Sequence, residues 1–376
     1  MPTYLDCNAT TPIEPLVQQE VIRFMQEEFG NAGSRTHEFG AAAKEAVERA
    51  RDMVASVVNC AREEIVFTSG ATESNNLALL GMAPFGLKSD RRHIVSTRIE
   101  HKAVLEPLEV LTQQGFEVSL VSPDSSGRIS SSELQKAIRK DTLLVSVMHV
   151  NNETGVVQPI TEIADGLQGQ DVYLHVDAAQ GFGKDIVQLQ NKRIDLISIS
   201  GHKIYAPKGI GALVLRKRQY KRPPLTPLVH GGGQERGLRA GTVPVQLAVG
   251  LGVAAKLAID EHERRATSCL HFRDKLLAAL KPLQPELNGD LDSMLPHVVN
   301  ISIPGLDSES AILALKDIVA ISNGSACTSA SYKPSHVLEA MGLPDARIKG
   351  ALRWSWSHLT PAPDWQSVTE VLAKLL

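Results

Sequence analysis

Short apolar runs alternate with longer stretches whose apolar residues recur every three or four positions, as far as about residue 250. The runs at 65–68, 93–97, 117–121, 143–150, 172–176, 194–198 and 210–215 read as strands, being almost continuously apolar and bounded by small or polar residues. The stretches 15–28, 41–58, 74–80 and 131–138 carry helical periodicity. A strand apolar on both faces must be covered on both. Strands separated by helices therefore predict an α/β fold with a mainly parallel seven-stranded sheet between helical layers. Stretch 245–262 is apolar on most faces and is expected to be a largely buried helix. After it, a helix at 269–281, a strand at 297–303, a helix at 309–316 and a last strand and helix over 352–376 predict a smaller α+β unit. The expected division is a large domain at 13–250 and a small domain formed by 1–12 and 251–376. Pro223-Pro224 and Gly231-Gly232-Gly233 mark loops within this arrangement.

Composition narrows the function classes. The 376 residues are 43% hydrophobic and 22% charged, an ordinary balance for a soluble globular protein. A net charge of −3 gives no field for broad binding to nucleic acid or membrane. Met1-Pro2-Thr3-Tyr4-Leu5-Asp6 has no basic region leading into an apolar stretch, and no apolar run is long enough to span a bilayer. A cytoplasmic protein touching neither membrane nor nucleic acid directly is expected. The four cysteines, Cys7, Cys60, Cys269 and Cys327, are scattered without a Cys-x-x-Cys, which argues against a zinc site or a disulfide framework; no metal is expected. Cys327 stands apart. Its surroundings, Ser322-Asn323-Gly324-Ser325-Ala326-Cys327-Thr328-Ser329, read as a loop, where packing gives a thiol no purpose.

The candidate chemistry lies at strand ends. Ser200-Gly201-His202-Lys203 follows one strand, and His175-Val176-Asp177 ends the one before it. Pyridoxal phosphate requires such a pair. The amine condenses with the cofactor's aldehyde, and the carboxylate keeps the pyridine nitrogen protonated so that the ring accepts electrons. The alternative is a surface lysine, which has no need of Ser-Gly-His before it. Ser69-Gly70-Ala71-Thr72-Glu73-Ser74-Asn75 follows strand 65–68 and opens a helix. Its N–H groups and the Thr72 hydroxyl can bind a phosphate, or the segment is a plain turn capped by Thr72 or Ser69. His101 follows strand 93–97, where α/β sheets place ligands; it can stack on a cofactor ring and move protons, or it faces solvent. Asn152, within His149-Val150-Asn151-Asn152-Glu153-Thr154-Gly155, is a hydrogen-bonding candidate or a turn residue. Arg353, in Leu352-Arg353-Trp354-Ser355-Trp356, is an exposed charge on a strand or a bidentate carboxylate anchor.

These segments, with Ala9-Thr10-Thr11-Pro12, Gly30-Asn31, Gln180 and the loop from His230 to Thr242, resemble the cysteine desulfurases over nearly the whole chain. That family is the NifS/IscS-like part of the class V aminotransferase group, with the PLP-dependent fold type I. The resemblance implies conversion of L-cysteine to L-alanine with pyridoxal 5'-phosphate as cofactor. It implies Lys203 as the cofactor-bound lysine, Asp177 as partner of the ring nitrogen and His101 as the stacked residue and proton shuttle. Gln180 and Asn152 take the cofactor's hydroxyl side. Ala71, Thr72, Ser200 and His202 take its phosphate, joined by Thr242 from the second subunit of a homodimer. Arg353, with Asn31 and Asn152, clamps the substrate carboxylate. Cys327 receives the sulfur as a persulfide and passes it to an acceptor protein.

The chain departs from the family pattern in places. Ala32-Gly33-Ser34 follows Asn31 where Pro-Ser is familiar, and Trp354, Trp356 and His358 stand where housekeeping members carry Phe, Leu and a second Arg. The chain also ends soon after Arg353, where those members run on into a tail that docks their iron–sulfur scaffold. The tryptophans either anchor a partner or pack in the small domain. A specialised outlet, sulfur for the DNA backbone, is therefore expected ahead of iron–sulfur assembly or tRNA thiolation. Two competing readings are another class V enzyme, such as a selenocysteine lyase, and a non-catalytic paralogue acting as a scaffold. Cys327 argues against the first; retention of Lys203, Asp177, His101 and Cys327 together argues against the second.

Overall fold

The computed structural model describes residues 1–324 and 334–376. Seven strands form one sheet in the spatial order Ile65–Thr68, Gly211–Leu215, Leu196–Ser200, Tyr173–Asp177, Thr142–Met148, His93–Thr97, Glu117–Val121. Gly211–Leu215 is antiparallel to both neighbours, and the five strands from Leu196–Ser200 outward to Glu117–Val121 pair in parallel. Apart from the outermost strand, Glu117–Val121, the sheet is buried along almost its whole length. That is why these strands read as continuous apolar runs.

Strand ends moved by one or two residues. The runs expected at 172–176 and 194–198 pair as Tyr173–Asp177 and Leu196–Ser200. Val172 and Ile194 are buried before the ladder begins, so apolarity starts earlier than pairing does. Asp177 and Ser200 consequently close their strands. The run expected to reach 150 leaves the sheet after Met148, and Val150 pairs instead with Val157.

Helix Glu38–Val57 and helix Val245–Asp260 cross on small residues. A side chain at Gly252 would meet the Ala50 Cα at 2.7 Å, so the backbones touch there. The buried helix predicted at 245–262 is present and is followed by His262–Leu280, which begins before the expected 269.

A second core surrounds an antiparallel sheet of Glu286–Leu287, Val298–Ser302 and Ala351–Ser355. Leu5 belongs to it, and Thr3–Tyr4 pairs with Val319–Ala320. Trp354 and Trp356 are both 0% exposed. Trp356 stacks on Phe272 at 5.1 Å, and its Nε1 donates to the Cys269 carbonyl at 3.0 Å. The two tryptophans pack this core and offer no surface to a partner. No helix among the described residues is long and apolar enough to cross a membrane.

Candidate active site

Ala71, Thr72, His101, Asn152, Asp177, Gln180, Ser200, His202, Lys203 and Arg353 line one cleft of about 440 Å³. It opens at the C-terminal ends of the parallel strands, where such sheets bind ligands, and is large enough for a small cofactor with its substrate.

Asp177 ends its strand with both carboxylate oxygens engaged. Asn75 Nδ2 donates to Oδ2 at 2.7 Å and the Ala179 N–H to Oδ1 at 3.0 Å. Lys203 closes the one-turn helix Gly201–Lys203. Its Nζ donates to the carbonyls of Asn8 and Ala9, the latter at 2.8 Å. That N-terminal segment is held in turn by the Thr11 N–H, which donates to the His202 carbonyl at 3.0 Å.

His101 caps helix Lys102–Gln113, its Nδ1 accepting the Ala103 N–H at 3.0 Å. The ring proton therefore sits on Nε2. Burial lowers the His101 pKa below the usual imidazole range, against the opposing pull of Asp177. Burial, then Lys203 and Lys208, lower that of His202 to about 4. Both rings are accordingly neutral near pH 7.

Helix Ala71–Leu80 begins at Gly70 with no side chain capping it. Neither Thr72 nor Ser69 is the cap expected from sequence; the Ser69 N–H is itself taken by Glu73 Oε2 at 2.7 Å. The uncapped first turn of the helix lines the cleft beside Ser200 and His202, an arrangement suited to a phosphate.

Arg353 is 4% exposed. Its Nη2 pairs with Asp6 Oδ1 at 2.6 Å, and its Nη1 donates to the Asn152 carbonyl at 3.1 Å. Its Nε is buried without a partner among the described residues. Gln180 Oε1, Asn8 Oδ1 and Asn75 Oδ1 are likewise buried and unpartnered in the cleft wall. Each unmet polar atom costs about 1–3 kcal/mol, so this set fits a polar ligand such as pyridoxal phosphate with an amino acid.

Two of the expected residues lie off this cleft, and a third is outside the described residues. Asn31 is exposed, outside the cleft lining, and accepts the Gly33 N–H at 2.8 Å. Thr242 is exposed and also off the lining, although Arg239 in the same loop pairs with Glu73 at 2.9 Å. Cys327 lies outside the described residues. The flanks of its segment are described: Gly324 packs on the Glu153 side chain, and Ser335 Oγ donates to Glu153 Oε2 at 2.5 Å. Both flanks thus meet the residue next to Asn152. Burial raises the other thiols, Cys7 to about 11 and Cys60 and Cys269 to about 12, which disfavours their thiolates.

Sequence reasoning passed over Asn75, Asp6, Asn8 and Ala9 as working groups. The available signal was Asn75 within the polar run at 72–76, which fills the first half of a helix that follows a buried strand.

The family described as "Aminotransferase class-V" matches residues 3–366. A "Cysteine desulfurase IscS" of Vibrio cholerae is 44% identical over 375 residues, spanning 99% of this chain and 92% of that one. The crystal structure of DndA from Streptomyces lividans is 54% identical with a TM-score of 0.83, over 94% of this chain and 99% of that one. The structure of SspA in complex with cysteine is 37% identical with a TM-score of 0.83, over 96% and 100%.

Proposed function

The chain belongs to the class-V aminotransferase family and within it is a cysteine desulfurase, and from that premise we propose how its residues divide the work. Pyridoxal 5'-phosphate is the cofactor expected of this family; when bound it supplies an electron sink that acidifies the proton on the substrate Cα. Lys203 tethers it, and Asp177, its carboxylate fixed by Asn75 and Ala179, holds the proton on the ring nitrogen. The open helix end at Ala71 and Thr72, with Ser200 and His202, takes the phosphate. Gln180 and Asn152 meet the hydroxyl side. His101, neutral and carrying its proton on Nε2, would stack on the ring and move protons there. Arg353 binds the substrate carboxylate, with Asn152 and Asn31 assisting, and its unpartnered Nε points to unused donor capacity.

The Cys327 thiolate attacks the sulfur of L-cysteine. A sulfur–sulfur bond forms and the substrate carbon–sulfur bond breaks. The products are L-alanine and a Cys327 persulfide, with no external oxidant or reductant. In this division residues 13–250 hold the cofactor, while 1–12 and 251–376 bring Arg353 and Cys327 to it.

The enzyme acts in the cytoplasm as a homodimer with shared sites. Supporting this, Thr242 lies off its own cleft, and Leu16, Met25, Phe29 and Phe39 leave an apolar surface exposed. Mixing Lys203→Ala with Thr242→Ala subunits should partly restore activity, since one site of each mixed dimer carries neither change. No recovery after confirmed subunit exchange would exclude a site shared in that way. The sulfur goes to an acceptor protein on the specialised DNA-backbone route. Burial of the tryptophans removes one support for that route. Favouring an outlet other than that of the IscS relatives is the higher identity with DndA, 54% against 44%.

The observation carrying the whole reading is the convergence of Lys203, Asp177 and Arg353 on one cleft. Lys203→Ala tests it: the purified protein should lack the cofactor's visible band and form no alanine. A yellow, active variant overturns the assignment.

A further inference from the structure

We propose that His358 is a positioning residue for Lys203, acting through Tyr205. The inference rests on Lys203 as the cofactor's tether. Tyr205 lies two residues beyond Lys203 and holds φ at +70°, a backbone region that a bulky L residue rarely adopts. Such a conformation persists only where its surroundings over-determine it. The Tyr205 N–H donates to Thr11 Oγ1 at 3.0 Å, and the Glu14 N–H donates to the Tyr205 carbonyl at 3.0 Å.

Two side chains from separate parts of the chain hold the buried ring, and a third ties them together. His358 packs edge-on at 4.8 Å between centroids, with 81° between the planes. The Arg265 guanidinium stands over the ring at 5.2 Å. Glu14 Oε2 accepts from both, from His358 Nε2 at 3.0 Å and Arg265 Nη2 at 2.9 Å. Glu14, Glu261 and His358 approach closely enough to share a metal ion, but Arg265 already bonds both carboxylates and takes the cation's place. The His358 side chain is 1% exposed, and burial, aided by Arg265 and Arg264, lowers its pKa to about 4. The ring is neutral near pH 7 and its Nε2–H donates to Glu14.

The same atoms run to the tether. Thr11 Oγ1, which receives the Tyr205 N–H, donates to the His202 carbonyl at 3.0 Å. Three and two residues before Thr11, the carbonyls of Asn8 and Ala9 accept from Lys203 Nζ. Pinning Tyr205 against His358 therefore fixes both the backbone leaving Lys203 and the segment that receives its amine. Without His358 the ring is loosened, Tyr205 relaxes toward negative φ, and Lys203 shifts with it. A shift of that kind leaves substrate binding at Arg353 largely intact and weakens the hold on the cofactor.

The test compares wild type with His358→Ala, with His358→Phe, which keeps a ring but not the donor, and with the milder His358→Gln. In His358→Ala the Tyr205 amide of the apoprotein should exchange hydrogen about tenfold faster, a local loosening short of unfolding. The holoprotein should release its cofactor about tenfold faster and lose about tenfold in kcat, with KM for L-cysteine within about twofold. His358→Phe and His358→Gln should fall between. In a Tyr205→Gly background, where glycine accepts positive φ freely, His358→Ala should change kcat no further. Unchanged amide exchange, cofactor release and kcat in folded His358→Ala would overturn the proposal, as would a fall in melting temperature alone. If His358→Ala does not fold, His358→Gln decides by the same readouts. Should Lys203→Ala keep the cofactor's visible band, the reading of Lys203 fails first, and separately.

Discussion

Asn75 donates to Asp177 beneath the cleft, Nδ2 to Oδ2 at 2.7 Å, and this bond with the Ala179 N–H leaves the carboxylate no freedom to turn. A charge that must face a ring nitrogen is useful only in one orientation. Replacing Asn75 by Leu should lower kcat about tenfold, the worth of one hydrogen bond to a charged group. Asp177→Asn should lower it by about a thousandfold or more, because an amide cannot hold the ring nitrogen's proton. Steady-state alanine formation measures both. An Asn75→Leu enzyme with wild-type kcat would mean that the bond is only structural.

Arg353 spends one nitrogen on Asp6 and one on the Asn152 carbonyl, and keeps Nε open. Lysine cannot reproduce that fork. Arg353→Lys should raise KM for L-cysteine by about a hundredfold while the cofactor stays bound, as expected for loss of a bidentate carboxylate contact. Titrating L-cysteine against turnover and against the cofactor's absorbance separates the two effects.

Glu100 is 0% exposed. Its Oε1 accepts the Thr97 hydroxyl at 2.7 Å and the Met148 N–H at 2.9 Å, while Oε2 has no partner among the described residues. Burial raises its pKa from 4.5 to about 8. The folded state therefore keeps a proton that the unfolded chain releases above 4.5. Stability from this group is full below pH 4.5 and is lost as the pH rises to about 8. Glutamine keeps the acceptor without the titration. Glu100→Gln should gain stability over wild type across that window, by roughly 2–4 kcal/mol at its upper end, and then level off. Denaturant melts at pH 5, 6.5 and 8.5 would show it; a difference independent of pH contradicts the assignment.

How much the sequence disclosed depends on which residues are considered. Six of the seven strands were legible because both faces are buried, so their apolar runs had no helical competitor; the outermost, Glu117–Val121, is only partly covered. Asp177 and Lys203 were legible because their chemistry needs those residue types at and just after strand ends, and Arg353 because a carboxylate anchor needs a guanidinium. Asn75 was not, since an amide near a helix start reads as a cap or a turn. Asp6 carries no signal of its own in the sequence; only the fold brings it to Arg353. The alternation Leu352-Arg353-Trp354-Ser355-Trp356 suggested a strand with one wet face. Both faces are buried, one apolar and one polar, where Arg353 meets Asp6 and Ser355 Oγ accepts the Asn8 N–H at 2.9 Å.

That burial makes its own prediction. Trp354→Ala should cost about 3–5 kcal/mol in denaturant unfolding, as large truncations in a closed core do. A surface anchor would leave stability unchanged and weaken only partner binding.

Transfer of sulfur from L-cysteine onto Cys327 is the step on which the proposed reaction turns. Intact-mass and peptide-mass analysis of the holoprotein after brief exposure to L-cysteine, with thiols trapped before digestion, tests it directly. The account predicts one extra sulfur per chain, confined to the peptide bearing Cys327, removed by reductant and absent in Cys327→Ser. Extra sulfur on Cys7, Cys60 or Cys269, or catalytic alanine formation by Cys327→Ser, would contradict it.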